Sequence, residues 1–409
     1  MASAWSSLAP PPMPRRPRDE GDAADPLRGW RARVRDRGCA RCAYDGSVLP
    51  DTEDEVVVPV NDATSAETGN AEAGACTTDD CEFFPAVCGP DVLCPNGPFD
   101  PVDPTVGMDW RTRVTVIRGR SASDVWVAGT VGTVAHFDGT SWTPSDVGTQ
   151  EVLSVLWLAG AGEITFGAIK RIYTRGLAVD AGVSAGGWSL RAAPAAPAGS
   201  GSELTAAWAM PGSNALWVAT DTNLWRLQLT AGGAFESRPG IPSSVCAVIP
   251  CRRMRSIHGA SAGTVWAVGD VGASVRITGA DGDTPEATPL DTLTWTGLTG
   301  VWAAEGTDVW AVGGSGTIRR YTGSPLGWEV TSGVPTTEHL NAVYGTSSSD
   351  VWVVGNAGVV LHYDGASWSR VKIAGLGDRR PDLYAVWSPG PGHILIGGQG
   401  IVLALGGKP

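Results

Sequence analysis

The stretch that decides the fold reads Tyr344-Gly-Thr-Ser-Ser-Ser-Asp-Val-Trp352-Val-Val-Gly355 and, after a short Gly turn, His362-Tyr-Asp-Gly-Ala-Ser-Trp368. Two runs in and just before it, 340–344 and 350–354, are rich in β-branched and aromatic residues and end near Gly or Ser, which marks strands. They are almost continuously apolar, as expected of strands covered on both faces. Residues 359–363 predict a third strand. Asp364-Gly365 predicts a two-residue hairpin turn with positive φ at both positions. Residues 367–371 predict a fourth, more polar strand with one edge toward water. One segment thus encodes a four-stranded antiparallel sheet.

The same string recurs as Arg118-Gly-Arg-Ser-Ala-Ser-Asp-Val-Trp126-Val-Ala-Gly129 followed by His136-Phe-Asp-Gly-Thr-Ser-Trp142. Worked outward, the template fits seven times. Its first anchor falls at Arg118, Trp157, Trp208, His258, Trp302, Tyr344 and Trp387. The second falls eight residues later at Trp126, Thr165, Trp266, Trp310, Trp352 and Leu395, and nine later at Trp217. A period of 39 to 52 residues suits one four-stranded blade per repeat, so the expected fold is an all-β, seven-bladed β-propeller. The Trp residues then have a packing role, each filling the wedge between twisted sheets with roughly 150–250 Å² of buried surface. The seventh copy stops after Ile401-Val-Leu-Ala-Leu405 and lacks an outer strand. A strand from within 91–108 is expected to supply it and remove the open edge. Trp110 stands too close to the first inner strand to do so.

Composition agrees with many short strands and tight turns. The 409 residues include 55 Gly, 29 Pro and 18 Trp. Lys occurs only at Lys170, Lys372 and Lys408, against 27 Arg. Between Cys42 and Trp110 there are 15 Asp and Glu and no Lys or Arg, whereas residues 111–409 carry 21 basic and 22 acidic side chains. A near-neutral propeller lacks the basic face that nucleic acid requires. No run approaches the roughly 18–20 apolar residues of a membrane span. The expected organisation is residues 1–38 as a disordered or wrongly assigned start, 39–106 as an acidic Cys-rich linker, and 107–409 as the propeller. The first 38 residues are rich in Arg, Pro and Ala and show no apolar run of a secretory leader, and we expect the true start to lie elsewhere.

Eight cysteines occur: Cys39, Cys42, Cys76, Cys81, Cys88, Cys94, Cys246 and Cys251. An even number, mostly in a short acidic and Pro-rich stretch, reads as disulfides formed in an oxidising compartment. Cys246 and Cys251 bracket Ala-Val-Ile-Pro in the connector leading into the fourth blade, where a bridge pins an exposed excursion. The competing reading is zinc through Cys39-Ala-Arg-Cys42 and a second pair, although the remaining spacings do not form a second close knuckle.

Ser-x-x-Asp-Val-Trp-Ala-Val-Gly followed by His-Tyr-Asp-Gly-x-Ser-Trp resembles a largely uncharacterised family of secreted or surface propellers of soil bacteria, over Val114 to the C-terminus. The resemblance implies an extracytoplasmic propeller, often lipid-anchored, with no established reaction. The chain departs from the family in its missing leader and lipobox. The hairpin also faintly resembles the Asp-box of sialidase-type propellers, of which Gly139-Thr-Ser-Trp142 and Gly365-Ala-Ser-Trp368 match the second half. In that family the box is a folding device.

The search for chemistry returns little. His136 and His362 share one site of equivalent third strands, and His258 replaces an aromatic of other first strands. His339 and His393 remain near connectors, and neither a metal nor another cofactor is expected. Asp281-Gly-Asp283 lacks the first Asp and the terminal Glu of a calcium loop. Arginines gather where blades begin, at Arg113, Arg252, Arg253, Arg379 and Arg380. Guanidinium groups suit carboxylates and sulfates, so these five are the candidate binding rim. No nucleophile elbow, phosphate loop or zinc-protease motif is present. The sequence therefore points to a monomeric, exported, non-enzymatic propeller that binds a protein or glycan. A carbohydrate-active enzyme at the arginine rim and an adhesin-type part of a surface assembly are the alternatives.

Overall fold

The computed structural model describes residues 80–99, 107–177, 183–304 and 307–407. The expectations for residues 1–38, and for Cys39, Cys42 and Cys76, lie outside them.

The described chain forms seven four-stranded antiparallel sheets. Blade 1 comprises Val114–Ser121, Asp124–Gly129, Val134–Phe137 and Trp142–Pro144. The first strands of blades 2 to 7 are Val155–Ala159, Leu204–Trp208, Met254–Ser261, Leu298–Ala303, Leu340–Ser347 and Leu383–Gly390. These strands pack side by side around a central channel, and blade 7 meets blade 1 to close the ring. The fold is a seven-bladed β-propeller. Its closure follows the sequence expectation: Leu93–Pro95 pairs antiparallel with Ile401–Leu405 as the fourth strand of blade 7, Leu93 opposite Leu405 and Pro95 opposite Leu403. Ala374 donates its N–H to Leu93 O and Leu93 donates to Lys372 O, so the closing strand is also tied to blade 6.

The second strands explain the repeat motif. Val351, Val353 and Val354 are wholly buried, and Trp352 and Trp126 stack on the third-strand rings of His362 and His136 at centroid distances of 4.2 and 4.4 Å. Asp350 accepts from the Trp352 indole at 2.8 Å and bonds His362 Nε2 at 2.7 Å. Asp124 does the same for Trp126 and His136 at 3.1 and 2.9 Å. The Asp of the Asp-Val-Trp triplet thus satisfies two ring nitrogens that would otherwise lie half-buried without partners. Blade 5 replaces His with Arg320, which sits 4.7 Å over the Trp310 ring and pairs with Asp308 at 2.8 Å.

Two turn expectations are corrected. Asp138-Gly139 and Asp364-Gly365 do not form two-residue turns, because Phe137 pairs with Trp142 and Tyr363 with Trp368 across four-residue loops. Only the glycines take positive φ, at 96° and 95°. The Asp side chains cap the loops instead, Asp138 Oδ1 accepting the N–H groups of Thr140 and Ser141 and Asp364 Oδ1 those of Ala366 and Ser367. The Thr140 hydroxyl, and then these backbone donors, hold the Asp138 carboxyl at about 2, and the backbone donors lower that of Asp364. The second correction lies in blade 2, where Trp157 pairs with Ile164 and not with Thr165. Blades 1, 4 and 6 carry a bulge between the first anchor and the hairpin, at Gly119/Ser121, Gly259/Ser261 and Gly345/Ser347, which adds one residue to the spacing. Blade 2 turns without it.

Candidate functional site

Strand order fixes what shares a face. In each blade the first strand runs away from the preceding connector, the second returns, the third departs and the fourth returns. The connectors between blades therefore lie on the same face as the turns between second and third strands.

All five expected rim arginines sit on this connector face, just before the first strands of blades 1, 4 and 7. They do not form one cluster. Arg113 and the Arg379–Arg380 pair belong to neighbouring blades, whereas Arg252 and Arg253 lie across the ring. Arg113 stacks over the Tyr384 ring at 4.6 Å, and its Nε is buried without a hydrogen-bond partner. Arg379 donates to Gln399 O at 3.1 Å. Arg380 pairs with Asp80 at 2.9 Å and lies 3.7 Å over the Phe84 ring, which engages it in seating the N-terminal segment. Arg253 pairs with Glu203 at 3.4 Å, and Arg252 is exposed. The bridge Cys246–Cys251 stands directly before Arg252, as the sequence suggested. All five described cysteines are disulfide-bonded, including the pair Cys88–Cys94.

The face is also apolar. Eight of the thirteen large apolar side chains exposed among the described residues lie in its loops, against two in the loops opposite. Trp295 is 87% exposed and Val248 86%. Val131 and Val271 are held out from equivalent turns of blades 1 and 4 with φ of 57° and 56°, a conformation that β-branched residues avoid. The same turn conformation recurs at Ser315 and Ala357 in blades 5 and 6, so the blade repeat imposes it and sets the two valines outward.

The central channel holds a cavity of about 340 Å³ walled by the first strands. At the anchor level Trp157, Trp208, Trp302 and Trp387 occupy four of the seven positions. Trp208, Trp302 and Trp387 each reach over a glycine of the next blade, Gly259, Gly345 and Gly119. A Cβ would stand 2.8 Å from the Trp208 ring at Gly259 and 2.7 Å from the Trp302 ring at Gly345. The residues preceding those three glycines are the three polar anchors, Arg118, His258 and Tyr344. Their side chains converge in the channel, with the His258 and Tyr344 rings 6.3 Å apart and the Arg118 charge acting on both.

Each polar head keeps an unused donor. Arg118 is enclosed by protein yet keeps part of its surface open to the cavity. Its one hydrogen bond runs from Nη1 to the adjacent Ile117 O at 2.8 Å. No carboxylate among the described residues pairs with it. Ala303 N–H donates to His258 Nδ1 at 3.1 Å, which places the ring proton on Nε2. Burial, and then the Arg118 charge, push His258 down to about 3, so it is a neutral donor. Burial likewise raises Tyr344 and keeps its phenol protonated. The sequence reading took Arg118, His258 and Tyr344 only as repeat positions. Their signal was three polar departures from an aromatic site, each followed by Gly.

No protein-family model matches the chain, and no curated protein matches it in sequence. Solved structures resemble it in fold. YCF48 bound to D1 peptide aligns with a TM-score of 0.56 at 15% identity, covering 79% of this chain and 97% of that one. A catalytically inactive virginiamycin B lyase from Staphylococcus aureus with quinupristin aligns with 0.55 at 14%, covering 72% and 95%. The WD40 propeller domain of Doa1 aligns with 0.53 at 10%, covering 78% and 96%. At such identities the likeness is one of fold alone, and propellers host unrelated functions.

Proposed function

We propose that this chain is an exported, non-enzymatic binding propeller that engages its partner through the connector face. The concentration of exposed apolar side chains there, beside the exposed Arg252, carries the reading. Exposed apolar patches bordered by polar groups are a property of interaction surfaces. The aliphatic Val131, Val248 and Val271 suit a protein surface better than a glycan, which favours flat aromatic platforms. The oxidised state of all five described cysteines supports an extracytoplasmic setting. Acids near the face act as neutralising partners: Glu203 pairs with Arg253, and Asp270 with Arg255 at 2.8 Å, which lowers the Asp270 carboxyl. Among the described residues no helix is long and apolar enough to cross a membrane.

The test places a photo-crosslinker at Val248 on the connector face or at Leu326 on the opposite face, in protein expressed in the native cell. We expect a discrete adduct from Val248 alone, recovered in the envelope or medium. Equal adducts from both positions, or reduced protein in the cytoplasm, refute the reading.

A further inference from the structure

Deep in the channel the molecule presents an arrangement that blade packing does not require. Four of the seven anchor positions are filled by Trp, and a fifth indole at Arg118 or His258 would complete the same apolar plug. Instead, two of these positions and Tyr344 bring three hydrogen-bond donors to one place. Taking a guanidinium out of water without an acidic partner is unfavourable. Two other buried or half-buried arginines are matched, Arg320 by Asp308 at 2.8 Å and Arg226 by the carbonyls of Pro239 and Ala280 at 3.0 Å. Among the described residues Arg118 has only the carbonyl of its neighbour in sequence.

We propose that Arg118, His258 Nε2–H and Tyr344 Oη–H form the floor of an anion site in the central channel, and that its ligand is a monocarboxylate on an apolar, preferably aromatic, body. Charge and donor count select the class. One permanent cation and two neutral donors match one negative charge, whereas a dianionic phosphate would leave an uncompensated charge in the enclosed space. Arg255 stands at the cavity wall, but Asp270 already neutralises it. A guanidinium fork accepts both carboxylate oxygens side by side, and the two further donors reach the outer lone pairs. The same cavity is lined by Trp208 and Trp387 with Ala207, Val343 and Val386, which suits a ring. A cavity of about 340 Å³ admits a small aromatic acid or one C-terminal peptide residue, two sources of the same chemistry.

This inference does not depend on the connector-face reading. Titration calorimetry of the full chain with indole-3-acetate and benzoate, against indole-3-acetamide and benzamide, tests the charge. The acids are expected to bind on the order of 10- to 100-fold more tightly than the amides, the scale of a charge-assisted pair. A tripeptide ending in Phe, as free acid and as amide, separates the sources. Binding of the free acids assigns a small molecule, and binding of the tripeptide acid alone assigns a chain terminus. The variant Arg118→Met should abolish acid binding, Arg118→Lys should retain part of it, and Arg238→Ala, at an exposed pair with Glu236 on the fourth strand of blade 3, should leave it unchanged. If acids and amides bind alike, or if neither acids nor tripeptide binds to folded wild-type protein, the anion site is wrong. Because that comparison uses wild type only, it stands even if Arg118→Met fails to fold. Crosslinking at Val248 should persist in Arg118→Met, so either idea can fail without the other.

Discussion

The propeller contains two rings of equivalent positions that differ in how they treat charge. In the outer ring, on the second and third strands, the third-strand side chain over the indole has an acid in reach in blades 1, 5 and 6: His136 with Asp124, Arg320 with Asp308, and His362 with Asp350. Arg226 of blade 3 is held by carbonyls, and Arg276 of blade 4 keeps a buried Nε without a partner. In the inner ring, on the first strands, Arg118 has no acid among the described residues and opens on the channel. Repetition accounts for the first ring, since the Asp-Val-Trp triplet sets its Asp against the third-strand His or Arg in blades 1, 5 and 6. It does not account for the second, where polar residues break an aromatic pattern. What sets Arg118 apart is that its unpaired guanidinium opens on the channel beside His258 and Tyr344, the place where a ligand can reach it.

The sharpest break between the rings is the loss of an outer Trp. Trp310→Ala removes a side chain that is 2% exposed and packs on Tyr363 and Trp368, and should destabilise the fold by about 3–5 kcal/mol in urea titration. Asp308→Ala strands Arg320, and about 1–2 kcal/mol of destabilisation is expected. Arg118→Met makes the opposite change in the inner ring. It should leave stability unchanged or raise it by about 1 kcal/mol, because an unmatched enclosed charge is removed. A clear loss of stability in that variant would set Arg118 beside the structural cations and erase the contrast.

Acid sharpens the same comparison. His258 titrates near 3 when folded and near 6.5 when unfolded, so the unfolded chain takes up the proton first. The stability due to its neutral form is complete above about pH 6.5 and drains away as pH falls toward 3. Asp138, at about 2 in the fold, loses its share only below its ordinary carboxylate value near 4. Melting between pH 4.5 and 6.5 therefore separates His258 from Asp138, and His258→Gln should reduce the slope there. The smallest effect concerns the connector face. Val131→Asn relieves a β-branched residue at φ 57° and should stabilise by about 1 kcal/mol while weakening the Val248 crosslink. A stabilised variant with an undiminished crosslink would show that the strained turn serves no partner.

Much of this was legible before any coordinates. Seven copies, their strands, the closing strand within 91–108 and the bridge Cys246–Cys251 follow from periodicity, from the need to cover a sheet edge, and from cysteine spacing. Those properties are local or repeat at fixed distance, so a linear string can display them. The Asp-Gly turns were misjudged because turn type depends on which residues pair across the hairpin. Residues 137 and 142 do so, and only partner strands in place decide that register. Blade 2 slipped by one for a similar reason, since a bulge is a property of two strands.

The sequence by itself determined the number of blades, the composition of their cores and the fact that one ring position varies between aromatic and polar. Tertiary structure alone decided that Arg118, His258 and Tyr344, separated by 140 and 86 residues, meet in one channel, and that Arg380 is drawn to Asp80 while Arg252 stays in solvent. The physical reason is closure. A ring brings every third or fourth repeat face to face across its axis, and neither that distance nor the presence of a neutralising acid is written at any single position of the chain.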